Sequence, residues 1–247
     1  MGFDTRTVYE DLCCGFPRGR ISVLLGGSGS GKSTLLRLIG GLIRPSKGRI
    51  FVDDEEVTGA SESTLYDVRT HIGMLFQGGA LLDSLTVFDN VALPLREHTS
   101  LSAGEIGETV REGLAAVGLD DVDRLLPGQL SGGMLRRAAL ARAIIRAPSI
   151  LLCDEPFSGL DPSSVKRIEM LLAKLNRERG ITILVVSHHI ASTLRLADHA
   201  LLLLPGRAVE GKPAELRRSE DAAVADFFDE DMAVEDFRPT ATETRTP

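Results

Sequence analysis

The sequence lacks any apolar run close to the ~18 residues that a membrane-spanning helix needs. Its longest apolar runs, such as ITILVV and ALLLL, have the length of buried strands. The first residues, MGFDTRTVYEDL, also lack the basic and then apolar layout of a signal peptide. We therefore expect a chain that stays in the cytosol or on the cytosolic face of a membrane.

Cysteine is rare, and acidic residues outnumber basic ones. The three cysteines, Cys13, Cys14 and Cys153, include an adjacent pair with poor geometry for a disulfide, and their spacing is not that of metal ligands. We interpret them as reduced apolar side chains. The formal net charge is −7, so a broad nucleic-acid-binding surface is not expected, and we predict no nucleic acid partner.

What the sequence does contain is an alternation of buried strands and helices. Hydrophobic residues make up 43% of the chain and charged residues 26%, which is ordinary for a globular protein. Continuous apolar strands alternating with helices predict an α/β fold with a mostly parallel core sheet flanked by helices. Strands are predicted at 21–25, 48–57, 71–77, 149–156 and 181–189, and helices at 32–42, 101–119 and 161–180.

The middle and the end of the chain differ from this pattern. Residues 80–148 read as helical and lack buried strands, which predicts a helical subdomain inserted into the α/β core. Ser102 and Glu105 stand at capping-box spacing at the start of one of its helices. After about residue 218 the chain turns acidic, and the last ten residues are predicted to be disordered or dependent on a partner.

A glycine-rich stretch at 26–33, GGSGSGKS, fits G-x-x-x-x-G-K-[ST] and lies between a predicted strand and a predicted helix. Glycines let the backbone wrap around phosphate oxygens, and the helix N-terminus adds a partial positive charge. Lys32 is predicted to reach the β- and γ-phosphates, and Ser33 to bind Mg²⁺. The predicted ATP-binding residues of this loop are Gly26, Gly27, Ser28, Gly29, Ser30, Gly31, Lys32, Ser33 and Thr34.

Two acidic residues, Asp154 and Glu155, end the predicted strand at 149–156. Neighbouring residues on a strand point to opposite faces, so we expect the two carboxylates to do different work. Asp154 is predicted to hold Mg²⁺. Glu155 is predicted to act as the general base on the water that attacks the γ-phosphate.

A second pair of glycines, in LSGGM at 130–134, opens a predicted helix without a following lysine. This motif follows GGSGSGKST and Gln77 and precedes ILLCDE, SGLD at 158–161 and SHH at 187–189. The ordered set resembles the nucleotide-binding subunits of ABC transporters over nearly the whole chain. LSGGM resembles the signature motif of that family, usually LSGGQ, with Met134 in the last place.

The resemblance explains why one chain carries two phosphate-binding devices. In the family, two cassettes face head to tail, and each ATP lies between the phosphate loop of one and the signature of the other. This implies a homodimer in which Ser131, Gly132 and Gly133 serve the partner's γ-phosphate. A serine hydroxyl, two glycines and a helix N-terminus can bind an anion without a lysine. Ser131 as a plain helix N-cap also fits the local pattern.

The resemblance also implies roles for three further residues. Gln77 would sense Mg²⁺ and the attacking water, and Asp161 would meet the opposite subunit's phosphate loop besides capping its own helix. His188 would contact the γ-phosphate and hold the water. The implied catalytic residues are therefore Glu155, His188 and Gln77, and the implied metal-binding residues are Ser33, Gln77 and Asp154.

The sequence departs from the family pattern near its start and beside the switch histidine. His189 stands where the family usually has aspartate. Phe3 is the residue placed to stack on adenine, and Tyr9 is the fallback. Phe3 lies so near Met1 that the usual first strand has no room, which leaves open an internal start or a loosely held adenine.

The segment 74–98, MLFQGGALLDSLTVFDNVALPLREH, together with LSGGMLRRAALARAI, resembles the MlaF-like, MCE-associated ATPases. That resemblance implies a bacterial location on the cytoplasmic face of the inner membrane, as a peripheral subunit. The implied partners are an MlaE-like permease, an MlaD-like MCE protein and an MlaB-like STAS-domain subunit on the helical subdomain. VEDFRPT, at 234–240, resembles a C-terminal extension that reaches the other subunit; a solvated acidic terminus explains it equally well.

The implied organisation is a RecA-like ATP-binding core at 1–79 and 149–218, a helical subdomain with the signature at 80–148, and an acidic C-terminal extension at 219–247. The implied function is ATP hydrolysis that energises phospholipid transport between the inner and outer membranes. An ABC system for amino acids, metals or another solute remains an alternative, as does a non-transport ABC ATPase. A third alternative, a generic P-loop kinase, offers no reason for the LSGGM motif.

Overall fold

The computed structural model describes residues 8–235, with side chains described as far as residue 229. Strands and helices alternate through most of this range. The strands are β1 Ile21–Gly26, β2 Phe51–Val52, β3 Glu55–Glu56, β4 Ile72–Leu75, β5 Ile150–Asp154, β6 Thr182–Val186, β7 His199–Leu204 and β8 Arg207–Gly211. The helices are α1 Lys32–Ile39, α2 Glu62–Thr70, α3 Val87–His98, α4 Ala103–Ala116, α5 Gly132–Ile144, α6 Pro162–Arg179, α7 Ile190–Leu196, α8 Pro213–Leu216 and α9 Ala222–Glu235.

The main sheet has six strands in the order β4-β5-β6-β1-β7-β8. All neighbouring pairs are parallel except β7 and β8, which are antiparallel. Both faces of the sheet are buried, because Val23 and Leu25 pack into one apolar cluster while Leu24, between them, packs into another. The predicted α/β fold with a mostly parallel sheet is confirmed.

Helices α3, α4 and α5 lie between β4 and β5 in the chain. The predicted capping box is present at α4, where Ser102 accepts a hydrogen bond from the amide of Glu105 and Glu105 accepts one from the amide of Ser102. The loop before α3 is held by Asn90, which is fully buried and bonds both the amide and the carbonyl of Leu82. This segment therefore has its own internal order.

Two predicted elements differ from the structure. The strand predicted at 48–57 is instead a short antiparallel pair, β2 and β3, because the chain turns at Asp53, whose φ of 52° is left-handed. The helix predicted at 32–42 ends at Ile39, because Gly40 and Gly41 follow and Gly41 has a φ of 64°.

The chain after residue 218 does not run free of the core, at least as far as residue 229. Helix α9 contacts α7, and Val224 and Phe228 belong to the main apolar cluster. Phe228 is 2% exposed. Most of the motif at 234–240 and all of the last ten residues lie outside the described range. Within residues 8–235, no helix combines the length and the apolar character needed to cross a membrane.

Candidate nucleotide site

The loop from Gly26 to Thr34 joins the end of β1 to the start of α1. Gly31 has a φ of 94° and lies so close to Val8 and Tyr9 that a side chain there would collide with both. Lys32 bends back over the loop, and its Nζ donates to the carbonyls of Gly26 and Gly27 at 2.7 and 3.0 Å. The ammonium group therefore lies above the backbone that would surround a phosphate.

A hydroxyl and a carboxylate meet beside this loop. Ser33 Oγ donates to Oδ1 of Asp154 at 2.9 Å, and Asp154 is 5% exposed at the end of β5. Both are hard oxygen ligands of the kind that Mg²⁺ prefers. Burial lowers the pKa of Lys32, while the charges of Glu155 and Asp154 oppose that shift. The loop lysine thus faces both acidic residues.

Glu155 and His188 lie together at the ends of two neighbouring strands. Oε2 of Glu155 is 3.0 Å from Nδ1 of His188, although the two atoms are not aligned as a hydrogen bond. Among the described residues, that buried oxygen has no hydrogen-bond donor. The Glu155 backbone has a φ of 48°, a left-handed conformation that is unfavourable for a glutamate. A carboxylate oxygen free to accept is what a general base requires.

Gln77 is exposed in the turn that follows β4. Two arginines of α5 hold this turn through its backbone. Arg142 donates to the carbonyls of Gly79 and Ala80, at 3.0 and 2.9 Å, and Arg136 donates to the carbonyl of Phe76 at 3.4 Å. The Gln77 turn is therefore tied to the same helix that the signature opens.

The signature residues stand at the N-terminus of the same helix, α5. Ser131 caps α5 by accepting from the amide of Met134, so the plain N-cap interpretation is correct locally. The close neighbours of Gly132 and Gly133 are Leu160 and Ser164, which belong to the segment after Glu155. Ser131 and Gly132 are exposed, so a phosphate of another molecule can reach them.

Asp161 caps α6 with three hydrogen bonds. Its Oδ1 accepts from the amides of Ser163 and Ser164 and from the Ser163 hydroxyl. These bonds hold the pKa of Asp161 well below its usual range. The carboxylate is exposed and stays ionised at neutral pH, beside the signature.

Phe3 lies outside the described residues, so its predicted stacking on adenine is not addressed. Tyr9, the fallback, packs against the apolar cluster on the α1 side of the sheet. Burial raises the pKa of its hydroxyl. The ring lies against Gly31, in the position of a core residue below the phosphate loop.

Sequence reasoning missed two residues of this region. His189, left without a role, caps α7 by accepting at Nδ1 from the amide of Ser192. Arg136, which reads as an ordinary helix-surface arginine, is 5% exposed and bonds two loops. The local sequence does not distinguish Arg136 from an exposed helix arginine, because arginine is rarely buried.

Comparison with known proteins agrees with this geometry. Residues 9–158 match the ABC transporter family. The chain is 46% identical over 225 residues to the intermembrane phospholipid transport system ATP-binding protein MlaF of Escherichia coli K12, covering 91% of this chain and 84% of that protein. It is 42% identical over 226 residues to the probable ribonucleotide transport ATP-binding protein mkl of Mycobacterium bovis, covering 92% of this chain and 63% of that protein.

A solved structure is similar as well. It is a dimeric ATP-binding cassette in a post-hydrolysis state with ADP and Pi, 33% identical, with a TM-score of 0.79 over 86% of this chain and 94% of that one. The fold is thus found in an ATP-binding cassette that holds the products of ATP hydrolysis. The chain belongs to the ABC transporter family, as an ATP-binding, ATP-hydrolysing cassette of the MlaF-like kind.

Proposed function

We propose that this chain drives phospholipid transport between the inner and outer membranes, as the paired ATPase subunit of an Mla-type ABC transporter. The observation that carries the ATPase chemistry is the convergence of Lys32, Asp154, Glu155 and His188 at the ends of three adjacent strands. The cargo is supported by 46% identity to MlaF over most of both chains.

In the proposed reaction, Lys32 exchanges its two carbonyl acceptors for phosphate oxygens of ATP. Glu155 takes a proton from the attacking water, and His188 holds that water and the γ-phosphate in position. The strained Glu155 backbone and the contact with His188 fix the direction of the carboxylate. Removing such a base from the reaction costs roughly 10²–10⁴ in rate.

The donor atoms present fit Mg²⁺. The adjacent Ser33 hydroxyl and Asp154 carboxylate would hold the ion, and Gln77 would approach it from the neighbouring strand end. Bound there, Mg²⁺ supplies charge neutralisation at the phosphates. A neutral amide such as that of Gln77 can enter or leave this charged site at low electrostatic cost.

The second half of each site comes from a second copy of the chain. Ser131, Gly132 and Gly133 would bind the γ-phosphate held by the partner, and Asp161 would face the partner's phosphate loop. The exposure of the signature and of Asp161, side by side, supports this arrangement. The similar solved cassette is a dimer.

A groove of about 390 Å³ beside the Gln77 turn supports permease docking. It lies between β4, α3 and the end of α5, and the apolar residues Met74, Phe76, Leu93 and Pro94 contribute to its lining. A permease segment seated there would touch the turn that carries Gln77. By resemblance, the permease is MlaE-like, with an MlaD-like MCE protein and an MlaB-like STAS subunit, and the chain lies on the cytoplasmic face of the inner membrane.

A mixed dimer tests the shared site. Chains with Lys32→Ala lose their own phosphate loop, and chains with Ser131→Arg lose the signature offered to the partner. In a dimer of one chain of each kind, one composite site keeps both of its good halves. We expect ATP hydrolysis in the mixed dimer and none in either homodimer. Absence of hydrolysis in mixed dimers that do form would refute the head-to-tail arrangement.

The cargo needs its own test. The mycobacterial relative's name favours a second candidate, ribonucleotides, carried by a system with the same ATPase chemistry. A tagged chain purified with its membrane complex should bring down an MCE protein and glycerophospholipid. A purified complex that binds labelled ribonucleotide and contains no phospholipid would favour the second cargo.

A further inference from the structure

Arg136 joins three parts of the site. It lies in the second turn of α5, five residues after Ser131, and is 5% exposed. Its Nη1 donates to the carbonyl of Phe76 at 3.4 Å, and its Nη2 donates to the carbonyl of Ser158 at 3.2 Å. One guanidinium therefore joins two loops that are far apart in the sequence.

The Ser158 end of this bridge belongs to the turn that Glu155 opens. The amide of Ser158 donates to the carbonyl of Glu155 at 3.3 Å, which closes the turn. Glu155 holds its left-handed φ of 48° within that turn. Because such a conformation persists only where its surroundings enforce it, the bond from Arg136 helps to keep the Glu155 backbone strained.

The Phe76 end lies next to Gln77. The carbonyl of Phe76 also accepts from the amide of Gly79, so it is part of the turn that displays the Gln77 side chain. Arg136 is thus bonded to the backbone next to Gln77 and to the turn of Glu155. The planar guanidinium of Arg136 is bonded to both turns, so its geometry helps to set the distance between the Gln77 turn and the Glu155 turn.

The charge of Arg136 is not fully satisfied by these two carbonyls. Its buried Nε has no hydrogen-bond acceptor among the described residues. Burial lowers the pKa of the guanidinium, and nearby Cys153 and Glu155 oppose that shift.

We propose that Arg136 is a positioning residue that fixes Glu155 and Gln77 relative to each other within its own subunit. The signature at the start of the same helix serves the partner's nucleotide, whereas Arg136 serves the nucleotide of its own phosphate loop. One helix therefore acts in trans at its first turn and in cis at its second. The inference rests on the proposed function, because it takes Glu155 as the base and the shared site as the working unit.

The mixed dimer separates the two directions. In the dimer of a Lys32→Ala chain and a Ser131→Arg chain, the working site has the phosphate loop and Glu155 of the second chain and the signature of the first. Arg136→Met is placed in either chain, one at a time. Methionine keeps the apolar stem of the side chain but has no group that donates a hydrogen bond.

We expect Arg136→Met in the Ser131→Arg chain to lower kcat by about tenfold or more with little change in KM, since a slightly misplaced base costs rate rather than binding. In the Lys32→Ala chain, it should leave kcat within about twofold. Equal losses in the two positions, a larger loss in the Lys32→Ala chain, or no loss in either would overturn the proposal. If the parent mixed dimer without Arg136→Met is inactive, the shared site itself has failed.

Arg137 provides the matched control. It is the next residue of α5, is 8% exposed, and donates to the carbonyls of Val117 and Gly118 at the end of α4, away from both turns. Arg137→Met in the Ser131→Arg chain should lower the melting temperature as Arg136→Met does, but leave kcat within about twofold. If Arg137→Met lowers kcat as much as Arg136→Met, general loosening of α5 explains the effect and the proposal is wrong.

Discussion

Nδ1 of His189 accepts a hydrogen bond from the backbone amide of Ser192, 3.2 Å away, and so caps α7 at the position where the family resemblance leads us to expect an aspartate. The Ser192 hydroxyl lies 2.8 Å from the same nitrogen. A ring nitrogen that accepts from an amide carries no proton, so the imidazole does the work of an Asp or Asn cap. The departure from the family pattern therefore preserves the start of the helix that follows His188.

The cap can be tested by substitution. His189→Ala removes the acceptor and should lower the free energy of unfolding by about 1 kcal/mol. His189→Asn keeps a short acceptor at the same position and should recover most of that loss. Urea unfolding of the two variants measures the difference. If the two variants lower the free energy of unfolding equally, His189 does not stabilise the protein through its helix cap.

An exposed arginine of the same helix, Arg195, pairs with a buried carboxylate of α6, Glu169. Arg195 donates to both oxygens of Glu169, at 2.7 and 3.2 Å, and Glu169 is 7% exposed. Burial raises the pKa of Glu169. Hydrogen bonds from Arg195 and Ser192 lower it by more than burial raises it, so the net shift of the pKa is downward. The pair therefore links α6 to α7 and stabilises the fold only while Glu169 is ionised.

Arg195→Met should cost about 2 kcal/mol of unfolding free energy at neutral pH, because it removes the two bonds to a buried carboxylate. A group whose folded pKa is depressed stabilises the protein above its unfolded pKa of about 4.3, and that stability is lost as the pH falls through the folded value. The penalty should therefore shrink as the pH is lowered below about 4.3, as measured by urea unfolding at a series of pH values. A penalty independent of pH would contradict the assignment. Arg177→Met, at an exposed pair with Glu178, is the control and should change stability by less than about 0.5 kcal/mol.

Glu155→Gln tests the base. The amide keeps the size of the side chain but cannot take a proton, so kcat should fall by about 10² or more while ATP still binds. The variant should accumulate as an ATP-bound dimer, measured by size-exclusion chromatography with and without ATP. Ordinary turnover would remove Glu155 from its role.

Leu93→Arg tests the groove. The side chain lines the groove and is half-buried, so a charge there should prevent a permease segment from seating. Hydrolysis by the isolated cassette should stay within about twofold, while co-purification of the membrane complex should be lost. Met170→Arg, 63% exposed on α6 and outside the residues that line the groove, is the matched control and should assemble normally.

Phe228→Ala tests whether α9 is part of the folded core. Truncating this ring should cost about 3–5 kcal/mol, measured by urea unfolding. Phe51→Ala, at a ring that is 55% exposed, should cost less than about 1 kcal/mol.

Ending the chain after Phe228 keeps the buried ring and removes the motif at 234–240. We expect this deletion to weaken dimerisation or complex assembly. Unchanged assembly would mean that the motif is a solvated terminus with no role in assembly.

The sequence predicted those parts of the molecule that depend on local rules. The phosphate loop needs glycine and lysine at fixed spacing, and β5 and β6 are continuous apolar runs because both faces of the sheet are covered. Helix α6 has its predicted limits, since Asp161 caps it and Gly180 ends it with a φ of 66°. Local sequence signals are sufficient where the hydrogen-bond partners are close to each other in the sequence.

The sequence could not predict what depends on distant partners. Arg136 is buried only because the fold brings Phe76 and Ser158 to it, and no neighbour in sequence announces that. Helix α9 reads as an acidic terminus because its charged residues outnumber the few that pack, although Val224 and Phe228 enter the core. The strand predicted at 48–57 is wrong for a different reason, since the chain reverses at Asp53 and pairs Phe51 and Val52 with Glu56 and Glu55.

The order of the central strands has a further consequence. β4, β5, β6 and β1 lie side by side and end at one edge, so the glutamine, the two acids, the histidine and the phosphate loop are spaced by the roughly 4.8 Å repeat between hydrogen-bonded strands. β4 is the outermost of the four and borders the groove. Mutations that retune the cassette to a new permease can therefore accumulate along this border, while the three inner strands keep the hydrolytic machinery in register.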